Sequence, residues 1–567
     1  MLSIAKVTPG AGWRYYFRSV MVGDGLRSLD EPLHNAQAYA GVPPGRWTGR
    51  GLAALGVVPD EVVTERQAEL LFGQGLHPDS DRIERDLLTH NESSVAVRRA
   101  TVLGRPIGDI RKPLLALDLV FRPPPTVHVL WALADDHTRL VLEECQDVAR
   151  ERTLAWVEEA VAQVRWGSGG RHRGPTDGLT VAVFRHYDNR DGSPLLHDHA
   201  LVSVKVRRPD GQWGNLATTD LFESVVAAGT LYTLLLTEEI SERLGLAWEP
   251  REATAGRRPV MEIAGIPHEL IEWQATRSTR IQDAYKDLAA DYVTKHGHPP
   301  GERARYRLRR RAAEETRPQK KTPLPLTTLR QHWRASAIRR FGARLIDGLL
   351  ETAQAAAAAI RSRVRPAIDV ALAAIDVVAT VYVMRGSFSR RHLLAEARRH
   401  LAQTLRGHRH QPGLDEQIVD TALAQHTTRL GKSWTADFTA LYPPGPEADA
   451  ATLRTITRHR TKSPYERAQV ASTVLADRLR TARRSRRMPT RPTSVPAAMP
   501  RTVRLTLHSP RRLSAQQDTD FTTLQNSHER IATLADDLVR GVHERNRSTR
   551  SRQPSPRLDI PSQPSGT

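Results

Sequence analysis

FRHYDNRDGSPLLHDHALVSV, residues 184–204, is the stretch on which the fold turns. Leu179–Tyr187, which overlaps its start, is rich in β-branched and aromatic residues, and Leu196–Val206 is rich in valine. Between them DNRDGSP is a run of turn formers, so the simplest structure is a β-hairpin. Side chains alternate faces along a strand, so His197 and His199 point the same way. Pairing His186 with His197 brings a third imidazole to that face, which also carries Thr180, Ala182, Phe184, Leu201, Ser203 and Lys205. Val181, Val183, Ala200, Val202, Val204 and Val206 occupy the other face and form a core-building set. The valine side is therefore expected to pack inward and the histidine side to face a cleft. Three neutral imidazoles with coordination positions left open suit a catalytic divalent ion rather than a structural one.

Two further features gain meaning beside that ribbon. Leu114–Phe121 reads LLALDLVF, an apolar strand interrupted by Asp118. A buried carboxylate is costly unless it is paired, so Asp118 is expected either to orient one imidazole or to take a proton from a nucleophile. The RPPP that follows, Arg122–Pro125, ends the strand. Near the start, GWRYYFRS holds Tyr15 and Tyr16, and Tyr39 lies further on. A phenol is a poor nucleophile near neutral pH, and becomes useful when a base removes its proton and a cation neutralises the phosphate under attack.

The 567 residues allow two or three domains, and the formal net charge of +20 points to a polyanionic partner, nucleic acid before anionic membrane. Cys145 is the sole cysteine, which excludes a disulfide framework and a thiolate zinc site and fits a reducing cytoplasm. No signal peptide is expected at the N-terminus, and the apolar run Ala367–Met384, interrupted by Asp369 and Asp376, is too polar to span a bilayer. A soluble protein without membrane insertion is the expectation.

Along the chain, residues 1–320 mix α and β signals. Strands are expected at Leu114–Phe121, Leu179–Arg185 and Leu196–Val206, and helices at about 140–164, 219–244 and 267–294. Val20–Pro44 reads as a loop or lid, and Gly301–Lys321 as a strongly basic helix or linker. Residues 321–480 read as helical and Ala/Arg-rich. Residues 481–567 read as a basic, Pro/Ser-rich, largely disordered tail, with one amphipathic helix near Phe521–Val542.

In this order, the N-terminal tyrosines, WTGRGLAALGV (Trp47–Val57), the LDLVF strand and the FRH…LHDH cluster resemble the MobF-type conjugative relaxases of the HUH endonuclease superfamily. DGQWGNL (Asp210–Leu216) and MEIAGIPHELIEWQATRSTRIQ (Met261–Gln282) extend the resemblance over roughly residues 1–300. It implies an α+β fold, an antiparallel β-sheet palm with packed helices, in a relaxase domain over 1–320. It implies that His186, His197 and His199 hold a divalent metal ion, Mg2+ or Mn2+ before others. Tyr15 matches the family nucleophile, with Tyr16 beside it, and Asp118 matches the aspartate that positions a ligating histidine or accepts the phenolic proton. The implied reaction nicks one strand of plasmid DNA at an origin of transfer, single-stranded at the nick and bearing a hairpin, through a 5′-phosphotyrosine adduct. Relaxosome accessory proteins and a secretion-system coupling protein are the implied protein partners. A bacterial cytoplasmic location is implied, with export of the DNA-bound protein.

Three departures stand out. A second tyrosine pair is reduced to Tyr39, the Ser/Lys-bearing segment after the aspartate strand is RPPPT, and Gly431-Lys432-Ser433 lacks the first glycine and the leading strand of a phosphate-binding loop. No intact helicase domain is therefore expected. Two alternatives stay open: a rolling-circle initiator or transposase of the same superfamily, and an inactive DNA-binding accessory protein.

Overall fold

Strand β1 (Leu2–Val7) is followed by β2 (Arg46–Thr48), β3 (Ala116–Phe121), β4 (Val164–Trp166) and β5 (His172–Gly174). Then come the ribbon β6 (Val181–Asp188) and β7 (Pro194–Ser203), the short β8 (Lys205–Arg207) and β9 (Trp213–Leu216), and the hairpin β10 (Trp248–Arg251) and β11 (Val260–Ile263). The longer helices of this part are α1 (Ser80–Thr89), α2 (Ser94–Thr101), α3 (Pro125–Leu133), α4 (Asp136–Ala160), α5 (Thr218–Leu244), α6 (His268–Gln274), α7 (Thr276–His296) and α8 (Glu302–Glu315). This is a computed structural model, and it describes residues 1–8, 37, 41–105, 113–189, 191–253, 258–318, 324–363, 366–385, 387–430 and 458–461. Tyr15, Tyr16, Tyr39, most of the Val20–Pro44 segment, Gly431–Ser433 and the 481–567 tail lie outside the described residues.

The fold class is α+β, around a five-stranded antiparallel sheet in the order β1-β3-β7-β6-β2. One face of this sheet is paved by Leu117, Leu119 and Phe121 of β3, Val181 and Val183 of β6, and Ala200 and Val202 of β7. The long helices α4 and α5 cover that face. Asp135 starts α4 by accepting from the Thr138 N–H (2.9 Å) and hydroxyl (2.7 Å), the usual remedy for unpaired amides at a helix N-terminus. The Pro123–Pro125 run ends β3 as expected, and Pro125 becomes the first residue of α3, where a missing N–H costs nothing.

Several boundaries differ from expectation. The strand expected over Leu196–Val206 bends at Val204, and its last residues join a second sheet, order β5-β4-β9-β8. The helix expected near 140–164 spans Asp136–Ala160, since Val164–Trp166 pairs with β5 and β9. The helix expected over 267–294 breaks at Ala275 into α6 and α7. The basic Gly301–Lys321 segment is largely helix α8. Helix α5 is long and apolar enough to cross a membrane, but more than half of its apolar stretch is covered by the protein, as in a core helix.

Beyond residue 320 come α9 (Leu326–Phe341), α10 (Leu349–Arg363), α11 (Val370–Met384), α12 (Arg390–Leu405) and α13 (Leu414–His426). Where only helices were expected, the structure adds a small sheet of β12 (Phe388–Ser389), β13 (Thr427–Arg429) and β14 (Arg458–Thr461), order β12-β14-β13. Each of those strands has four residues or fewer, too short to leave a period-2 signal. The described residues all belong to the compact unit Met1–Arg480.

Candidate metal centre

Register makes the site. His186 is paired directly with His197, and Phe184 with His199, so the three imidazoles share one face of the ribbon. Ring centroids are 5.3 Å apart for His186–His197, 4.7 Å for His186–His199 and 5.0 Å for His197–His199. One nitrogen from each ring lies within 4.8 Å of the others, and all three residues are buried.

The second nitrogen of two rings is fixed by a hydrogen bond. His199 donates from Nδ1 to Asp118, whose two carboxylate oxygens both lie 3.0 Å away across β3 and β7. His197 donates from Nδ1 to the Leu195 carbonyl oxygen at 2.7 Å. Each bond puts the proton on Nδ1 and leaves Nε2 with a lone pair, the arrangement that presents imidazole to a cation. Burial, and then the neighbouring His199 and His186, hold the His197 pKa well below its ordinary value, so that ring is neutral at neutral pH. Three imidazole nitrogens with no thiolate fit a divalent ion with open positions.

The histidine side is not the open cleft that alternation suggested. A second core covers much of it: Trp47, Leu52, Leu55, Val57, Val63, Leu71, Phe72 and Leu103 pack on Ala116, Ala182, Phe184 and Leu201. A Cβ built on Gly45 would come within 2.3 Å of the Phe184 ring, so the approach to β2 needs glycine there. The imidazoles thus sit at the end of an apolar layer whose members come from residues 47–103. Each large side chain fully buried in that layer stabilises it by roughly 1.5–3 kcal/mol.

The residue between the two histidines was missed. Asp198 points to the opposite face and is fully buried, accepting from Arg185 Nε (2.8 Å), Arg185 Nη2 (3.0 Å) and Arg150 Nη1 (2.7 Å). Arg185 also bonds Asp147 at 2.6 Å. Burial pushes the Asp198 carboxyl up, but Arg185 and Arg150 outweigh it and hold the group well below the usual carboxylate range. The signal was present: a charge at an inward position of a valine-lined strand, directly opposite Arg185. Two residues beyond His186, burial pushes the Asp188 carboxyl up to about 8.

The ribbon turn is clamped as well. Asn189 Oδ1 accepts from the Asp191 (2.8 Å) and Ser193 (3.1 Å) amides, and Gly192 takes a φ of 79°, which favours glycine. Trp333 Nε1 donates to the Gly192 carbonyl (2.7 Å), Gln274 to that of Pro194 (2.7 Å), and Arg280 pairs with Asp191 (2.6 Å). Trp273 donates to Ser336 (3.2 Å), and Arg277 donates to the carbonyl of Ala313 in α8 (2.7 Å) and to the hydroxyl of Thr316 just past its end (2.9 Å). Trp273, Gln274, Arg277 and Arg280 of α6 and α7 thus make structural contacts. Of the expected site residues, His186, His197, His199 and Asp118 are brought together, and Tyr15 and Tyr16 lie outside the described residues.

The sequence profile described as TrwC relaxase matches residues 9–339. The multifunctional conjugation protein TraI of Escherichia coli (strain K12) is 31% identical over 183 residues, covering 30% of this chain and 10% of its own. A second Escherichia coli TraI is 28% identical over 180 residues. The chain thus spans about 10% of the length of these relatives. Among solved structures, the conjugative relaxase TrwC in complex with oriT DNA is similar in its metal-free form, with a TM-score of 0.42 and 23% identity. Its metal-bound form gives 0.43 and 24%, and each match covers 60% of this chain and 98% of the other.

Proposed function

The chain belongs to the TrwC relaxase family of MobF-type conjugative relaxases, and from that premise we propose that it nicks one strand of plasmid DNA at an origin of transfer by tyrosine transesterification. One observation carries the reading: three buried imidazoles on one face of a ribbon, one of them bonded through Nδ1 to a carboxylate. His186, His197 and His199 would hold a divalent ion, Mg2+ or Mn2+ for preference. When bound there, such an ion would supply Lewis-acid polarisation of a phosphate oxygen.

Tyr15, with Tyr16 as its neighbour, is the proposed nucleophile. Its phenolic oxygen forms a bond to phosphorus while the bond from phosphorus to the 3′ oxygen breaks. The phenolic proton is lost to a base, and the departing 3′ oxygen gains one to leave as a hydroxyl. The strand stays on the protein as a 5′-phosphotyrosine ester, and attack by another 3′ hydroxyl reverses the step without nucleotide hydrolysis. Both Asp118 oxygens lie at His199 Nδ1, which supports the positioning role over that of proton acceptor. Arg303, Arg305 and Arg307 on α8 lie on an arm whose surface is largely exposed, and they supply charge for tracking the single strand.

The test is a denaturing gel of an end-labelled, hairpin-bearing single strand incubated with the protein, with and without chelator. A protein-linked band that needs the metal and disappears in Tyr15→Phe is expected. Nicking unchanged in Tyr15→Phe would remove Tyr15 from the mechanism. No adduct from the wild-type protein would favour a DNA-binding accessory role instead.

A further inference from the structure

One acid of β6 lies on the histidine side. Tyr187 belongs to the larger core and Phe184 to the second core that flanks the imidazoles. Alternation along β6 therefore puts Phe184, His186 and Asp188 on one side. The register shifts between His186, paired with His197, and Asp188, paired with Pro194. Two residues of β7, Leu195 and Leu196, thereby stand opposite Tyr187 alone. The extra residue is in β7, so β6 keeps its alternation through the shift. Asp188 thus follows His186 by two residues, about 7 Å, on the face that carries the three rings.

No structural role accounts for this carboxyl. Asp188 is only 8% exposed, and its Oδ1 has no hydrogen-bond partner among the described residues. The other two acids of the ribbon are paired: Asp198 with Arg185 and Arg150, and Asp191 with Arg280. Pro194, directly opposite Asp188, has no amide hydrogen to donate. The capping of the turn, which an aspartate can perform, falls to Asn189, whose Oδ1 accepts from the Asp191 and Ser193 amides. A buried oxygen left in this state calls for a water, an ion or a functional partner.

We propose that Asp188 is an outer acceptor of the metal centre, taking a hydrogen bond from a water on the bound ion and tilting the site toward Mg2+ or Mn2+ over Zn2+. This rests on the reading that His186, His197 and His199 hold a divalent ion. Direct ligation alongside all three rings is out of reach, since the donor atoms that lie within 4.8 Å of one another are those of the three imidazoles, without Asp188. One water closes the gap: bound at about 2.1 Å and donating over about 2.7 Å, it bridges roughly 4–5 Å. The cation in turn favours the ionised, accepting form of the carboxyl. The tilt follows from ligand chemistry. Three imidazoles by themselves suit Zn2+, which completes a tetrahedron with a single further ligand. Mg2+ and Mn2+ prefer octahedral, oxygen-rich shells and keep several waters. In a buried site those waters require acceptors, and a carboxylate is a stronger one than any neutral group.

The experiment measures Mn2+ and Zn2+ Kd by calorimetry, and the Tm of the metal-free protein, for the full chain as wild type, as Asp188→Asn and, for control, as His186→Ala. Asp188→Asn is expected to weaken Mn2+ about tenfold, the effect of losing an outer partner, and Zn2+ less than about threefold. The metal-free Tm should stay within about 2 °C, because no contact of the fold is lost. An unchanged Mn2+ Kd overturns the proposal. So does an equal loss for both ions, which would mark a plain effect of charge, and so does a larger fall in the metal-free Tm, which would give Asp188 a structural role. Failure of the underlying reading looks different: ion binding that is absent from the wild type, or that His186→Ala leaves intact, removes the ion from the imidazoles and the proposal with it.

Discussion

Asp118 and His199 define the residue scale, because a carboxylate two atoms from the coordinating nitrogen controls how that ring presents itself. Asp118→Asn keeps the shape but removes the charge that fixes the tautomer, so metal affinity should fall about 10–100-fold. Titration calorimetry with Mn2+ would show it, and an unchanged Kd would detach Asp118 from the site. His197 carries a pH signature of its own. Its folded pKa is depressed by burial and by the neighbouring imidazoles, so in the metal-free protein the folded state resists the proton that the unfolded chain accepts below about 6.5. Stability from this residue's environment is intact above that pH and is lost as pH falls through it. His197→Gln should accordingly narrow the gap in Tm between pH 7.5 and pH 5.5, and a gap that stays as wide would contradict the assignment. Cys145, by contrast, is inert by construction: burial pushes its thiol up to about 12. A thiol reagent at pH 8 should label it only after denaturation.

At the scale of the element, the ribbon is held from both faces. The imidazole side leans on Phe184 and the second core, and the other side closes on Asp198, Arg185 and Arg150. Asp198→Ala would leave two buried guanidinium groups short of their counter-charge, a loss of about 3–5 kcal/mol. Urea unfolding would measure it, and a cost below about 1 kcal/mol would mean that Asp147 alone satisfies both arginines. The hairpin, its register and its valine face were legible in the sequence because period-2 alternation and a turn cluster are local signals. The carboxylate strand was legible for the same reason, an acid in an apolar run. The second core was not. Trp47, Leu55 and Phe72 belong to separate, weakly periodic segments and meet Phe184 only through long-range packing. The Ala275 break between α6 and α7 also escaped, since alanine carries no breaking signal and tertiary packing decides it.

At the scale of the whole molecule, the question is why the fold continues past residue 339, where the family match ends. Helix α12 packs along α5, and polar contacts reinforce the junction. Arg398 is buried, stacks 4.4 Å from the Trp156 ring, and bonds the Ala227 carbonyl (2.9 Å) and Asp415 (2.8 Å). His410 bonds Glu238 at 2.5 Å and Arg409 bonds Glu239 at 3.0 Å, both acids being nearly inaccessible along α5. These partners lie far apart in sequence, so an Ala/Arg-rich helical region could be read from composition but not its seat on α5. A chain truncated after residue 345 would uncover the α5 flank and leave Glu238 without its His410 partner. The five-stranded sheet and its imidazoles would remain, while α5 would be stripped of one of its two packing layers. Lower Tm and a tendency to self-associate are therefore expected of the truncated chain, together with retained Mn2+ binding, as read by calorimetry and light scattering. A truncated chain as stable and monodisperse as the full one would show that α12 adds nothing to the support of α5. The α5–α12 junction would then be without energetic consequence for the sheet that carries the histidines.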